Sequence, residues 1–339
     1  MLSTSPGGVL AGRYELREKI GQGGYGEVWR AWDRNRSHEV ALKLLFRGRP
    51  TEAWLEASLL TQLKSPYILE VNNADLIVDV PFLDTALAKD SLDRVCASHG
   101  VEPHFGVESI RRALRGLALC HSRGLLHRDV KPANIFVRAN NDIVLGDFGA
   151  AALMDSRGTA EAAGDPRVRA PEAYLDGRQG AAADIYGAAV SLFALLTGRW
   201  PFDQVMQAAL DVAIQAGARP ALRDLAPHAS LALSRVVDQG MHLDPSRRFS
   251  NAAEFDSALG KLPPRINRFT PIAAHPNHLR CWRVDGKSDL HVCVEAGDTQ
   301  HVEVTHAGSG RRVGRLCVPC APSETAATLR KTFDNLRKG

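Results

Sequence analysis

Two short polar runs constrain this chain more than anything else in its 339 residues. One is His127-Arg128-Asp129-Val130-Lys131-Pro132-Ala133-Asn134. The other is Asp147-Phe148-Gly149, whose Asp lies thirteen positions beyond Asn134. An Asp with a Lys two residues on and an Asn five residues on suits a loop that handles a hydroxyl, a phosphate and a metal. A second Asp, ahead of Phe-Gly, suits a further metal ligand.

Upstream, Tyr14–Ile20 reads as a strand that runs into Gly21-Gln22-Gly23-Gly24-Tyr25-Gly26, and Glu27–Trp32 continues as a second strand. A lone GxGxxG is weak evidence, because dinucleotide-binding folds use it between a strand and a helix. Here it sits between two strands, and Val40-Ala41-Leu42-Lys43 follows on a third, Glu39–Leu45. Glycines let backbone amides approach phosphates without a Cβ in the way. Helical spacing of Trp54, Leu55, Leu59, Leu60 and Leu63 predicts a helix over Thr51–Leu63, and Ile110, Ala113, Leu114 and Leu117 predict another over Ser109–His121. Strands are expected within Ile68–Leu87, a helix start near Ser91-Leu92, and an apolar helix over Ala183–Leu196.

In this order and spacing the motifs resemble the catalytic core of eukaryotic-like, bacterial-type Ser/Thr protein kinases. Further pieces extend the match: Ala170-Pro171-Glu172, Asp184 in Asp184-Ile185-Tyr186-Gly187, and Arg248, the residue that pairs with Glu172 in the family. The resemblance covers about Arg13–Leu262. It implies an α+β, two-lobed fold, with a β-rich N-lobe and a helical C-lobe, that uses ATP and Mg²⁺ on a protein substrate. It also assigns roles. Gly21, Gly23 and Gly26 cover the phosphates. Lys43 holds the α/β-phosphates, with Glu56 on the next helix as its partner and Glu52 as the fallback. Val28 and Ala41 lie above the adenine and Phe136 below it. The hinge falls near Ala86–Ala88 with Thr85 as gatekeeper, and Asp84 is an odd residue for that strand. Asp129 orients the substrate hydroxyl and accepts its proton, Lys131 neutralises the transferring phosphoryl group, and Asn134 and Asp147 hold magnesium. His127 and Phe148 are packing residues.

The chain departs from the family in the activation segment. Gly164-Asp165 stands where most members carry Gly-Thr, and Val168, flanked by Arg167 and Arg169, replaces an aromatic. Two carboxylates close to one Lys compete for it. Arg128 before the catalytic Asp resembles kinases whose loop is ordered by phosphate, and Ser156 and Thr159 are the hydroxyls between Gly149 and Gly164. Autophosphorylation at one or both is therefore expected, unless Asp155 or Asp165 supplies the charge.

Pro263-Pro264 breaks the chain. Beyond it the pattern becomes short alternating strands, His278–Val284, Leu290–Glu295, His301–Thr305 and Val313–Val318, with a closing helix over Ser323–Leu336. The expected organisation is a flexible tail over 1–12, a kinase domain over 13–262 and a small α+β accessory domain over 263–339 with docking or regulation as its role. Residues 265–339 hold 12 Lys/Arg and 7 Asp/Glu, a net +5 in a chain of net +4. No Arg/Lys-rich helix or interleaved aromatic series accompanies that charge, which argues against nucleic acid as the partner. Met1–Gly12 lacks the features of a secretory signal, and the apolar stretch near Tyr186–Thr197 is too short to span a bilayer. A cytoplasmic setting with free thiols is expected for the six cysteines. Cys281, Cys293, Cys317 and Cys320 could alternatively form a zinc site, with His275, His278 or His291 as substitutes, although a single CxxC is a weak signal. The reading is an ATP-dependent Ser/Thr kinase; the alternative is an ATP-binding pseudokinase scaffold, and a small-molecule kinase is disfavoured by the full Ala-Pro-Glu segment.

Overall fold

Along Gly26–Asp33, and along His38–Leu45 from Glu39 onward, buried and half-buried side chains alternate, and that period of two builds the N-terminal lobe. The computed structural model describes residues 4–23, 26–46, 61–263, 268–286, 289–297 and 299–338. Six strands, β1 (Val9–Leu10), β2 (Tyr14–Gly23), β3 (Gly26–Asp33), β4 (His38–Leu45), β5 (Val71–Ile77) and β6 (Val80–Ala86), form an antiparallel sheet in the order β1-β2-β3-β4-β6-β5. Trp29, Ala31, Val40, Leu42 and Leu44 pack on one face with Leu10, Tyr14, Leu16 and Phe82. Val28, Ala41 and Lys43 take the opposite face, because Val28 pairs with Lys43 across the ladder. Leu83 and Thr85 oppose Lys43 and Ala41 and share that face.

Asp84 is odd for its strand because it points the other way. Its buried carboxylate accepts from Tyr14 Oη at 3.1 Å and Asn72 Nδ2 at 3.2 Å, and lies 3.6 Å from the Arg13 guanidinium that clamps Asp33. Burial pushes its pKa up, and the bonds from Asn72 and Tyr14 work against that. The tail expected over 1–12 is also more structured than its sequence implied. Val9 and Leu10 pair with Glu15 and Tyr14, and Leu10 belongs to the lobe's core.

The second lobe begins with β7 (Asp90–Ser91) and α1 (Leu92–Val95), followed by α2 (Pro103–Ser122). Glu102 accepts from the first free amides of α2, and Pro103 opens it, the arrangement that suits a helix start. Short strand pairs then shape the loops between helices: β8 (Leu125–Leu126), β9 (Ile135–Val137), β10 (Ile143–Leu145), β11 (Ala152–Leu153), β12 (Thr159–Glu161) and, after α3 (Pro171–Leu175), β13 (Arg178–Gly180). β9 pairs with β10 and β7, β8 with β11, and β12 with β13. Next, α4 (Ala181–Thr197) is buried nearly end to end, so it is the lobe's central post rather than an amphipathic surface helix. Around it stand α5 (Leu210–Ala216), α6 (Leu222–Leu225), α7 (Leu231–Gly240) and α8 (Ala252–Gly260).

The C-terminal region is a five-stranded antiparallel meander, β14 (Arg268–Ile272), β15 (His278–Asp285), β16 (Leu290–Glu295), β17 (Gln300–His306) and β18 (Val318–Cys320), closed by α9 (Thr325–Lys338). Leu329, Phe333 and Leu336 of α9 pack on Phe269, Trp282, Val292 and Val302. Two details differ from expectation. Gly314–Leu316 is a 3₁₀ turn rather than a strand, and β14 is an additional strand, which tolerates Pro271 because it lies at the sheet edge.

This region is packed against the second lobe. His228, between α6 and α7, is fully buried, accepts from Trp282 Nε1 at 3.1 Å and lies edge-on to Phe333. Arg223 of α6 grips Asp334 of α9 at 2.8 and 2.9 Å, Arg280 donates to Leu225 O, and Arg337 to His228 O. Among the described residues no helix is long and apolar enough to cross a membrane.

Candidate active site

The site is organised from below by Asp184, in the first turn of α4 and 2% exposed. Its Oδ1 accepts from Arg128 N–H at 2.7 Å, and its Oδ2 accepts from His127 N–H at 2.9 Å and meets His121 Nε2 at 2.8 Å. Burial alone would raise its pKa, but the His121 bond and the charge of the nearby histidines hold it below the usual carboxylate range. Those bonds fix the turn at Arg128, whose φ is 63°, a region that costs a non-glycine residue about 1–2 kcal/mol. His127 Nε2 reaches Gly146 O at 2.9 Å, and its ring lies 4.9 Å from that of Phe148.

Asp129 is thus presented from a rigid base. Its Oδ1 accepts from the Asp165 amide at 2.9 Å, and its Oδ2 lies 3.0 Å from Asn134 Nδ2 and 2.9 Å from Lys131 Nζ. Lys131 is shared: its ammonium is also 3.2 Å from Asp165 Oδ2. Burial disfavours its charge, yet the two carboxylates more than offset this and raise its pKa. On the other wall Lys43 is ion-paired with Asp147. Asp147 has φ 53°, and a Cβ at Gly149 would lie 2.3 Å from Lys43 Nζ, so a side chain there would push the ammonium aside. Burial opposes ionisation of Asp147, but the Lys43 charge and bond keep its pKa lowered.

Lys43 thus meets Asp147, Asp129 meets Lys131 and Asn134, and the two groups adjoin where the Gly146 amide, next to Asp147, donates to Asn134 O at 2.9 Å. Val28 and Ala41, both half-buried, share the Lys43 face of the sheet, Thr85 Oγ1 reaches Ala41 O at 3.4 Å, and half-buried Phe136 lies on β9. Gly21 and Gly26 flank the β2–β3 turn with Gly23. Glu56, and Glu52 as its fallback, lie outside the described residues. The Asp147 carboxylate and the Asn134 amide are oxygen donors of the kind Mg²⁺ takes. The Asn134 amino group donates to Asp129 O at 2.8 Å and to Oδ2, which leaves its oxygen as the atom to face a cation.

The protein kinase domain family model matches residues 14–259. This chain belongs to the protein kinase domain family. It is 31% identical over 266 residues to serine/threonine-protein kinase PknD of Mycobacterium tuberculosis, covering 73% of this chain and 39% of that protein. It is 32% identical over 284 residues to PknJ of the same organism, covering 75% of this chain and 46% of the relative. CBL-interacting serine/threonine-protein kinase 1 of Arabidopsis thaliana is 30% identical over 244 residues, 68% of this chain and 55% of that protein. The chain thus spans about half the length, or less, of the curated relatives it matches.

The segment between Asp147 and Glu172 is braced internally. Arg128 directs its guanidinium to the carbonyls of Ala150 at 2.5 Å, Ala151 at 3.0 Å and Glu161 at 2.7 Å. Asp155 pairs with Arg178 and accepts from the Thr159 amide at 3.1 Å, while Arg178 Nε reaches Thr159 Oγ1 at 3.0 Å. Ser156 is exposed. The sequence reading missed this Asp155–Arg178 brace; its one signal is an Asp ahead of Gly158, a turn composition. Glu172 is held by Arg248 through bonds of 2.8 and 2.7 Å, with the Arg248 side chain at 0% exposure. Asp165 binds Arg167 at 2.5 Å, and Arg167 stacks 4.6 Å over Trp200.

The four-thiol set does not form. Cys317 Sγ contacts the carbonyls of Val304 and Val313, each at 3.6 Å. Cys320 faces the region's core beside Thr325 Oγ1 at 3.5 Å. The period-two pattern expected over Val313–Val318 does not hold, because Gly314–Leu316 forms a 3₁₀ turn and Cys317 follows it directly.

Proposed function

We propose that this chain is an ATP-dependent protein kinase that phosphorylates Ser or Thr hydroxyls of a protein substrate. The observation that carries the reading is the trio around Asp129: an aspartate with one oxygen fixed by the Asp165 amide and the other flanked by Asn134 and Lys131. A substrate hydroxyl beside it would be oriented and its proton accepted as the new O–P bond forms and the bond from the γ-phosphorus to ADP breaks. Lys131 would offset charge on the transferring group, and Lys43, released from Asp147, would hold the α/β-phosphates. Gly21, Gly23 and Gly26 would cover those phosphates, while Val28, Ala41 and Phe136 would enclose the adenine. Asn134 and Asp147 would hold Mg²⁺, which when bound neutralises phosphate charge and fixes the nucleotide's geometry.

A cytoplasmic setting, where ATP and Mg²⁺ are abundant, belongs to the same reading. So does a division into a kinase domain over 13–262 and an accessory module over 263–339 that presents a basic surface to a protein partner. Autophosphorylation falls first on exposed Ser156, since the Thr159 hydroxyl is engaged by Arg178 and Asp155. The test is incubation with labelled ATP, Mg²⁺ and a generic protein substrate, alongside Asp129→Asn. Transfer by the native chain and its loss in the variant are expected. Nucleotide binding without transfer would instead make the chain an ATP-binding scaffold.

A further inference from the structure

The face of the C-terminal sheet turned away from α9 carries a cluster that phosphoryl transfer does not use. A turn forms at Pro276-Asn277: the His278 amide donates to His275 O at 3.0 Å, and Asn277 has φ 66°. Pro followed by a residue of positive φ is the type II pattern. The turn sets the His275 and His278 rings 5.7 Å apart, next to β15 and β16. There Cys281 and Cys293 stand directly opposite in register, so their side chains share that face. A bulge between His278 and Arg280 interrupts the ladder beside them.

One ligand atom from each of His275, His278, Cys281 and Cys293 lies within 4.8 Å of the other three. His275 Nδ1 is 3.4 Å from Cys281 Sγ and 3.5 Å from Cys293 Sγ. In a tetrahedral site with Zn–S near 2.3 Å and Zn–N near 2.0–2.1 Å, ligand atoms are roughly 3.3–3.8 Å apart, so two edges already have that length. Two observations independent of that spacing point the same way. The His275 amide directs its N–H at Cys281 Sγ, 3.4 Å away, the kind of outer hydrogen bond that orients a ligating sulfur. And His278 Nδ1 is buried with no hydrogen-bond partner among the described residues, a loss of about 1–3 kcal/mol for a polar atom unless something binds it.

We propose that His275, His278, Cys281 and Cys293 form a structural zinc site with two sulfur and two nitrogen ligands. Thiolate plus imidazole in a compact four-atom set selects zinc over magnesium or calcium. Four protein ligands leave no open position, so the ion ties the 273–278 loop to the sheet rather than serving catalysis. His291, its ring 5.2 Å from that of His275, borders the site without being one of the four.

The experiment is metal analysis of the full chain purified without chelators from zinc-supplemented medium. About one equivalent of zinc is expected, and the cobalt-substituted protein should show the visible bands of a tetrahedral site with sulfur-to-metal charge transfer. His278→Ala and Cys293→Ser should each bring zinc below about half an equivalent, while Cys317→Ser and Cys320→Ser keep it. Less than about half an equivalent in the native chain with all six thiols titrating freely would overturn the proposal. So would a Cys281–Cys293 disulfide in the purified protein, or loss of zinc in the Cys317 and Cys320 variants. The native-chain measurement decides even where a variant fails to fold.

Discussion

The catalytic loop and the outer face of the C-terminal sheet are both crowded with titratable side chains, but they treat their polar atoms differently. In the loop Asp184 has three hydrogen-bonding partners, Asp129 is fixed at both oxygens, and His127 reaches a carbonyl. Two non-glycine residues, Arg128 and Asp147, are held at positive φ within that network, which persists only where surroundings over-determine the backbone. On the sheet face two thiols oppose each other and, among the described residues, a buried histidine nitrogen has no hydrogen-bond partner. A saturated cluster is a preorganised tool, shaped before its substrate arrives. An unsaturated one is shaped for a ligand that completes it.

The largest expected effect tests the first half of that contrast. Asp129→Asn, Asp147→Ala and Lys43→Ala should each lower phosphoryl transfer by at least on the order of 10²–10³-fold, with thermal midpoints close to the native one, because Asp184 still holds the loop. Asp184→Ala should lose transfer to a similar extent but also unfold earlier, by about 3 kcal/mol, since it strands one buried and two part-buried polar groups. Transfer at the native rate in Asp184→Ala would break the comparison. Arg248→Ala, which leaves Glu172 in a largely buried site without its cation, should cost about 3–5 kcal/mol in denaturant unfolding.

How the C-terminal sheet is tied to the second lobe is tested at Trp282. It is 1% exposed, fills the C-terminal core and donates to His228 of the second lobe. Trp282→Ala should destabilise residues 268–338 by about 3–5 kcal/mol, read as faster hydrogen exchange there, while transfer to a generic substrate persists. A chain ending at Leu262 should behave likewise, with a lowered thermal midpoint because His228 is uncovered and Arg223 loses Asp334. Loss of transfer in either would make the C-terminal region part of the catalytic unit rather than an attachment to it.

How legible each region was follows from what carries the information. The cleft residues announce themselves by order along the chain: Lys43, Asp129, Lys131, Asn134 and Asp147 occupy motif positions, and the fold gathers them. The zinc ligands announce nothing in order, because Cys281 and Cys293 meet only through strand register and His275 only through a turn. Cys317, one of the four candidate thiols, stands apart because the 3₁₀ turn Gly314–Leu316 just before it breaks the strand expected over Val313–Val318. Asp84 could not be read from its strand, because its partners come from elsewhere in the sheet, Asn72 from adjacent β5 and Tyr14 from β2, which is not adjacent to β6. Glu56, which the resemblance assigns to Lys43, falls outside the described residues, and among the described ones Asp147 pairs with that ammonium.

The smallest effect concerns Asp165, the departure from the family that joins catalytic loop to activation segment. Burial would raise its pKa, but the Arg167 bonds and the Lys131 charge hold it far below the ordinary carboxylate range. A carboxylate whose folded pKa is depressed contributes stability above its unfolded pKa, about 3.9 for Asp, and that contribution fades as pH falls below this value. Asp165→Asn should therefore be less stable than the native chain at neutral pH and converge with it below about pH 4. At neutral pH its transfer rate should change less than tenfold, since Asp129 still pairs with Lys131 at 2.9 Å and the step lost is smaller than removal of a reacting group. Thermal midpoints of both proteins from acid to neutral pH check the sign. Parallel curves would mean that Asp165 adds no pH-linked stability and that the Arg167 contact is a surface ion pair of little consequence. A rate on generic substrate that rises in the variant would show instead that Asp165 draws Lys131 away from the transferring phosphoryl group.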